Sequence, residues 1–106
     1  MPKYLIQASY TREGVRGLVS EGGSSRRAEV EKLAKAMGGT LEALYYAFGE
    51  HDVVVIMDVP DNVTMAALSL SVAATGAIRV KTTVLLTPEE IDQAAKKVIP
   101  YRPPGG

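Results

Sequence analysis

The stretch Leu41-Glu42-Ala43-Leu44-Tyr45-Tyr46-Ala47-Phe48-Gly49-Glu50-His51-Asp52-Val53-Val54-Val55-Ile56-Met57 decides how this chain folds. Leu41 to Phe48 is rich in aromatic and aliphatic residues, Gly49-Glu50-His51-Asp52 is turn-forming, and a β-branched run follows, so two strands joined by a hairpin are expected. Successive side chains on a strand point to opposite faces. Val53, Val55 and Met57 therefore oppose Val54 and Ile56 on the later strand. On the earlier one Leu41, Ala43, Tyr45 and Ala47 oppose Leu44, Tyr46 and Phe48. A sheet with one face in water alternates apolar with polar, whereas this pair is apolar on both faces and asks for cover on both.

Outward from the hairpin, the pattern changes period. Tyr4, Ile6, Ala8 and Tyr10 alternate with Leu5, Gln7 and Ser9, which marks a first strand. Thr11 to Gly23 holds four glycines among Val15, Leu18 and Val19, and reads as a short helical turn in a flexible connection. Ser24 or Ser25 can cap a helix with the stripe Val30, Leu33, Ala34 and Met37, ended by Gly38. Beyond the hairpin, Asp61 caps a second helix running to about Thr75, with Met65, Leu68 and Val72 on its buried side. Ile78 to Leu86 alternates as a fourth strand. Thr87-Pro88-Glu89-Glu90 forms a full capping box for a terminal helix carrying Ile91, Ala94, Ala95 and Val98, which Pro100 stops.

Strand, helix, strand, strand, helix, strand is the split βαβ unit repeated. The expected fold is α+β: a ferredoxin-like βαββαβ sandwich, its four-stranded antiparallel sheet covered by helices on one face, with an added C-terminal helix. Residues 1–99 make a single domain and 100–106 a Pro/Gly-rich tail. The uncovered face would exceed the few hundred Å² of apolar surface that monomers tolerate, and the terminal helix has only a narrow stripe to offer. A homodimer or higher oligomer is the expectation.

With 12 basic and 12 acidic side chains, no overall field draws the protein to nucleic acid or to an anionic membrane, so neither is an expected partner. The absence of cysteine excludes disulfides, thiolate metal sites and a cysteine nucleophile. Met1-Pro2-Lys3-Tyr4 leads straight into a strand without a signal pattern, and Met65 to Ile78 is too short to span a bilayer. The chain is read as cytoplasmic.

Three groups of residues are candidates for chemistry. His51, the only histidine, stands with Asp52 and Glu50 at the hairpin tip, either as a proton carrier or as plain turn structure. One imidazole is one ligand, so no metal site is expected. Ser24, Ser25, Arg26 and Arg27 at a helix start can hold an anion or can simply begin the helix. Gln7 with Arg79 and Lys81 shares one face if the first and fourth strands are neighbours, and Tyr45 or Tyr46 can wall a pocket there for a small anionic ligand. Charged residues on an edge strand also serve merely to discourage unwanted pairing.

From Pro2 to about Lys97 the chain resembles the GYD domain family of small bacterial proteins. The resemblance lies in the opening Pro2-Lys3-Tyr4, in Gly22-Gly23-Ser24, in the Phe48-Gly49-x-x-Asp52-Val53-Val54 hairpin and in Leu86-Thr87-Pro88-Glu89-Glu90. The family name implies Gly-Tyr-Asp in the hairpin, where this chain has Gly49-Glu50-His51-Asp52, with His51 in place of the tyrosine. The family is similar to the dimeric α/β-barrel group, whose subunits pack sheet to sheet, and implies no established activity. The expected function is a self-associating ligand-binding or assembly module without a cofactor. The alternative is a small cofactor-independent enzyme acting on an acidic or aromatic metabolite, with His51 as proton carrier.

Overall fold

The computed structural model describes residues 1–47 and 49–106, and Phe48, expected at the end of the second strand, lies outside the described residues. In chain order the elements are β1 (Lys3–Tyr10), α1 (Arg12–Glu21), α2 (Gly23–Ala36), β2 (Thr40–Tyr46), β3 (Val53–Asp58), α3 (Asn62–Ala74), β4 (Ile78–Leu85) and α4 (Pro88–Ala95). The strands form one antiparallel sheet in the order β2-β3-β1-β4. This is the ferredoxin-like α+β arrangement, with β1 and β3 inside and β2 and β4 at the edges.

The core lies on the helix side of the sheet. Tyr4, Ile6 and Ala8 of β1 and Val53, Val55 and Met57 of β3 are buried there with Ala34 of α2 and Met65 of α3. Alternation sets this: each of those strand residues is followed by one that is less buried and faces away. Asp61 accepts from the Thr64 amide at 2.8 Å and so fixes where α3 begins, which puts Met65 one turn in.

Between Thr11 and Gly23 the structure overturns the expected flexible connection. A ten-residue helix, α1, stands there, capped by Thr11, whose hydroxyl accepts from the Gly14 amide. Gly14 marks a close approach: a Cβ at that position would lie 2.2 Å from the Ala77 carbonyl oxygen, the same oxygen that accepts from the Thr11 amide at 2.9 Å. Gly22, at φ 87°, turns the chain from α1 into α2 and takes the N-cap position. Neither Ser24 nor Ser25 therefore caps α2.

β2 also departs from strict alternation. Leu41 pairs with Met57, but Ala43 pairs with the adjacent Ile56, so one extra residue, Glu42, is accommodated as a bulge. The shift carries Leu41 to the helix side with Leu44 and Tyr46, and leaves Ala43 and Tyr45 on the open face. The expectation that Leu41 shares a face with Ala43 and Tyr45 is thus corrected. Glu42 forms an ion pair with Lys3, which also donates to Asp58 at 3.1 Å. The three charges tie β2, β3 and β1 together across the open face.

The capping box of α4 is present: Thr87 accepts from the Glu90 amide at 3.1 Å, and the Glu90 carboxylate accepts from the Thr87 amide at 2.9 Å. The helix ends at Ala95, short of Pro100, and every residue from Pro88 to Gly106 is exposed. Val98, Ile99 and Tyr101 are among them, an apolar arm that stands exposed. The radius of gyration is 16.9 Å, against about 13 Å for a compact domain of this length.

Val55→Asp is expected to cost on the order of 3 kcal/mol or more, because the charge would replace a core side chain with no partner in reach. Loss of the cooperative thermal transition checks it, and wild-type melting would place Val55 on the wrong face. A second expectation concerns pH. Hydrogen bonds to Glu42, and secondly to Asp58, raise the Lys3 pKa above 10.5, and burial raises that of Tyr4 above 10.0. For both groups the stabilising contribution is complete below the unfolded-state pKa and is lost as pH climbs through the folded one. Urea midpoints should fall as pH rises above about 10, and Lys3→Met should flatten that fall; an equal fall in the variant would dismiss the network.

Candidate functional site

Strand register determines which of the candidate residues meet. Gln7 pairs with Lys81 and Ser9 with Arg79 across β1 and β4, and alternation places all four on the face opposite the helices. The hairpin after β2 folds over the same end of the sheet. The Asp52 amide donates to the Ala8 carbonyl at 2.8 Å and the Ala47 amide to the Asp52 carbonyl at 2.9 Å, which brings Glu50 and His51 alongside Ser9. The Ser9 hydroxyl donates to the Glu50 carbonyl at 2.9 Å and lies 3.5 Å from His51 Nδ1. Gln7, Ser9, Glu50, His51, Arg79 and Lys81 line one open groove of about 280 Å³. Chemically it offers two cations, an amide, a hydroxyl and an imidazole to a ligand, with one carboxylate at the rim.

The remaining candidates are dispersed. Tyr45 shares the open face, in the cross-sheet row Tyr45, Val54, Gln7, Lys81, but two strands from the groove. Tyr46 points the other way, and its hydroxyl donates to the Gly23 carbonyl at 3.0 Å. Asp52 does not face His51: its carboxylate accepts from the Tyr10 amide at 2.8 Å, a bond that fastens the hairpin to the end of β1. Ser24 and Ser25 are exposed, and Arg27 pairs outward with Glu31 at 3.0 Å. Arg26 alone of that group turns inward, beside Tyr10 and Tyr46 at an apolar cavity of about 110 Å³ between the sheet and the helices. Sequence reasoning did not single out Tyr10. The available signal was a phenol ending a stripe that is otherwise core. Among the described residues no three histidine, aspartate or glutamate side chains converge as metal ligands, and no helix is long and apolar enough to cross a membrane.

The family model described as the GYD domain matches residues 4–95, in agreement with the resemblance seen in the opening strand, the hairpin and the α4 cap. The chain belongs to the GYD domain family. No curated protein and no solved structure matches it.

His51 and Asp52 are neighbours with different expected sensitivities. His51 makes one long contact at the rim, so His51→Ala should change stability by about 1 kcal/mol or less. Asp52→Ala strips a backbone amide of its acceptor and should cost about 1 to 3 kcal/mol. Urea titration of the two variants checks the order, and a greater loss at His51 would reverse the roles assigned to them.

Proposed function

We propose that this member of the GYD domain family is a self-associating module. In this reading the open sheet faces of two copies pack together, and the groove around Gln7, Arg79 and Lys81 binds a small anionic ligand beside their interface. One observation carries it. Leu5, Ala43, Tyr45, Val54 and Ile56 form a continuous apolar area on the open face, while the helices that bury the core lie on the other side. Among the described residues none of the C-terminal elements serves as a cover, since α4 and the arm after it are exposed throughout.

A second copy suits that face for two reasons. Its own open face is apolar in the same places, as an isologous contact requires, and a net charge of zero sets up no long-range repulsion between copies. The arm supports the same reading, because Val98, Ile99 and Tyr101 are exposed and would gain cover by reaching another subunit. The groove lies next to the apolar area, so packing would screen Arg79 and Lys81 from bulk water and strengthen their hold on a carboxylate or phosphate. With His51 at 3.5 Å from a serine hydroxyl and Asp52 engaged elsewhere, the groove holds a ligand and assembles no catalytic set.

Sedimentation velocity at micromolar concentration should show a dimer or larger species, and Ile56→Lys should sediment as a folded monomer. Native mass spectrometry of protein taken directly from cells should show a retained small molecule that Lys81→Gln loses. A wild-type monomer that keeps its fold and binds no hydrophobic dye would contradict the self-association, and an identical retained mass in Lys81→Gln would contradict the groove.

A further inference from the structure

Protein interiors rarely leave voids much larger than a water molecule, and the helix side of this sheet does. α2 packs along β2 and α3 along β4, at opposite edges of the sheet, so the floor formed by β1 and β3 between them is incompletely roofed. The space of about 110 Å³ that results is walled by side chains such as Ile6, Val30, Leu44, Val55 and Leu68. A closed cavity of about 150 Å³ with such walls stays dry and takes up benzene. This one, at about 110 Å³, is smaller and opens to the outside.

Its polar groups gather together. Tyr46 stands tight against the start of α2, where a Cβ on Gly23 would meet its ring at 3.0 Å. Tyr10 adjoins Tyr46, and the Arg26 guanidinium lies close to the Tyr10 phenol. Burial, and secondly the neighbouring Tyr46, hold the Tyr10 phenol above its ordinary pKa against the opposing pull of Arg26, so it remains a hydrogen-bond donor at neutral pH. Among the described residues the acidic partner of Arg26 is a long one, Glu21 at 3.5 Å. A planar guanidinium and a phenol next to an apolar slot match a ring that carries one carboxylate, since the fork of an arginine donates to both carboxylate oxygens.

We infer that the cavity between α2, α3 and the sheet is a binding site for a small aromatic carboxylate, with the ring among Val30, Leu44 and Leu68 and the carboxylate on Arg26 and Tyr10. The site is on the opposite face of the sheet from the Arg79 and Lys81 groove and does not depend on self-association.

Methyl and amide NMR titrations of the full chain with benzoate, toluene and acetate test it. Benzoate should shift signals of Val30, Val55 and Leu68 and bind about tenfold tighter than toluene or acetate. Arg26→Gln should weaken benzoate about tenfold and leave toluene unchanged, since only the charged contact is removed. Leu68→Phe, which fills the space with a ring of its own, should abolish both and keep the chain folded by circular dichroism. The inference is overturned if benzoate shifts only signals around Arg79 and Lys81, if it leaves the cavity signals unmoved, or if Arg26→Gln binds it as the wild type does. Should Arg26→Gln fail to fold, equal affinity for benzoate and toluene in the wild type would overturn the carboxylate contact on its own.

Discussion

The structure depends on β3 having apolar side chains on both of its faces. Val53, Val55 and Met57 give the sheet its buried side, and Val54 and Ile56 give the other side an apolar centre. Burying a side chain of this size is worth about 1.5 to 3 kcal/mol, so the helix-side row is a large part of what holds so short a chain together. The open row has the same chemistry without a cover. The self-association proposed above rests on that imbalance.

The strand order and the four strands were legible because alternation and turn residues are local signals, and because the split βαβ order leaves one handed solution. The α3 and α4 starts were legible for the same reason: Asp61 and Thr87 each bond an amide three residues on. Thr11 caps α1 with identical chemistry. It was passed over because glycines at 14, 17, 22 and 23 suggest flexibility, whereas Gly14 answers to a carbonyl across the fold, at Ala77, which no local pattern reveals. The bulge at Glu42 was hidden for a related reason. The bulged residue makes a cross-strand contact, its carboxylate reaching Lys3 some forty positions away, and one inserted residue reverses every face before it.

The candidate residues divide along the same line. Gln7, Arg79 and Lys81 were expected on one face if β1 and β4 were neighbours, and the register puts them there. His51 joins them through the backbone bonds of the hairpin, which could be anticipated only in outline. Asp52 stands beside His51 in sequence, but extended backbone sends neighbouring side chains apart, and Asp52 reaches the Tyr10 amide instead. The inward turn of Arg26 was illegible because it depends on where α1 ends and how Gly22 aims α2.

The most direct test of the central claim is an isotope-filtered NOE measurement on a mixed sample of labelled and unlabelled chains, which reads contacts between subunits alone. Cross-peaks between subunits at the methyls of Val54, Ile56 and Leu5, with none at Val53 or Val55, are the predicted result. No such cross-peaks from Val54 and Ile56, in a sample otherwise folded and at a concentration where any association would be complete, would contradict it.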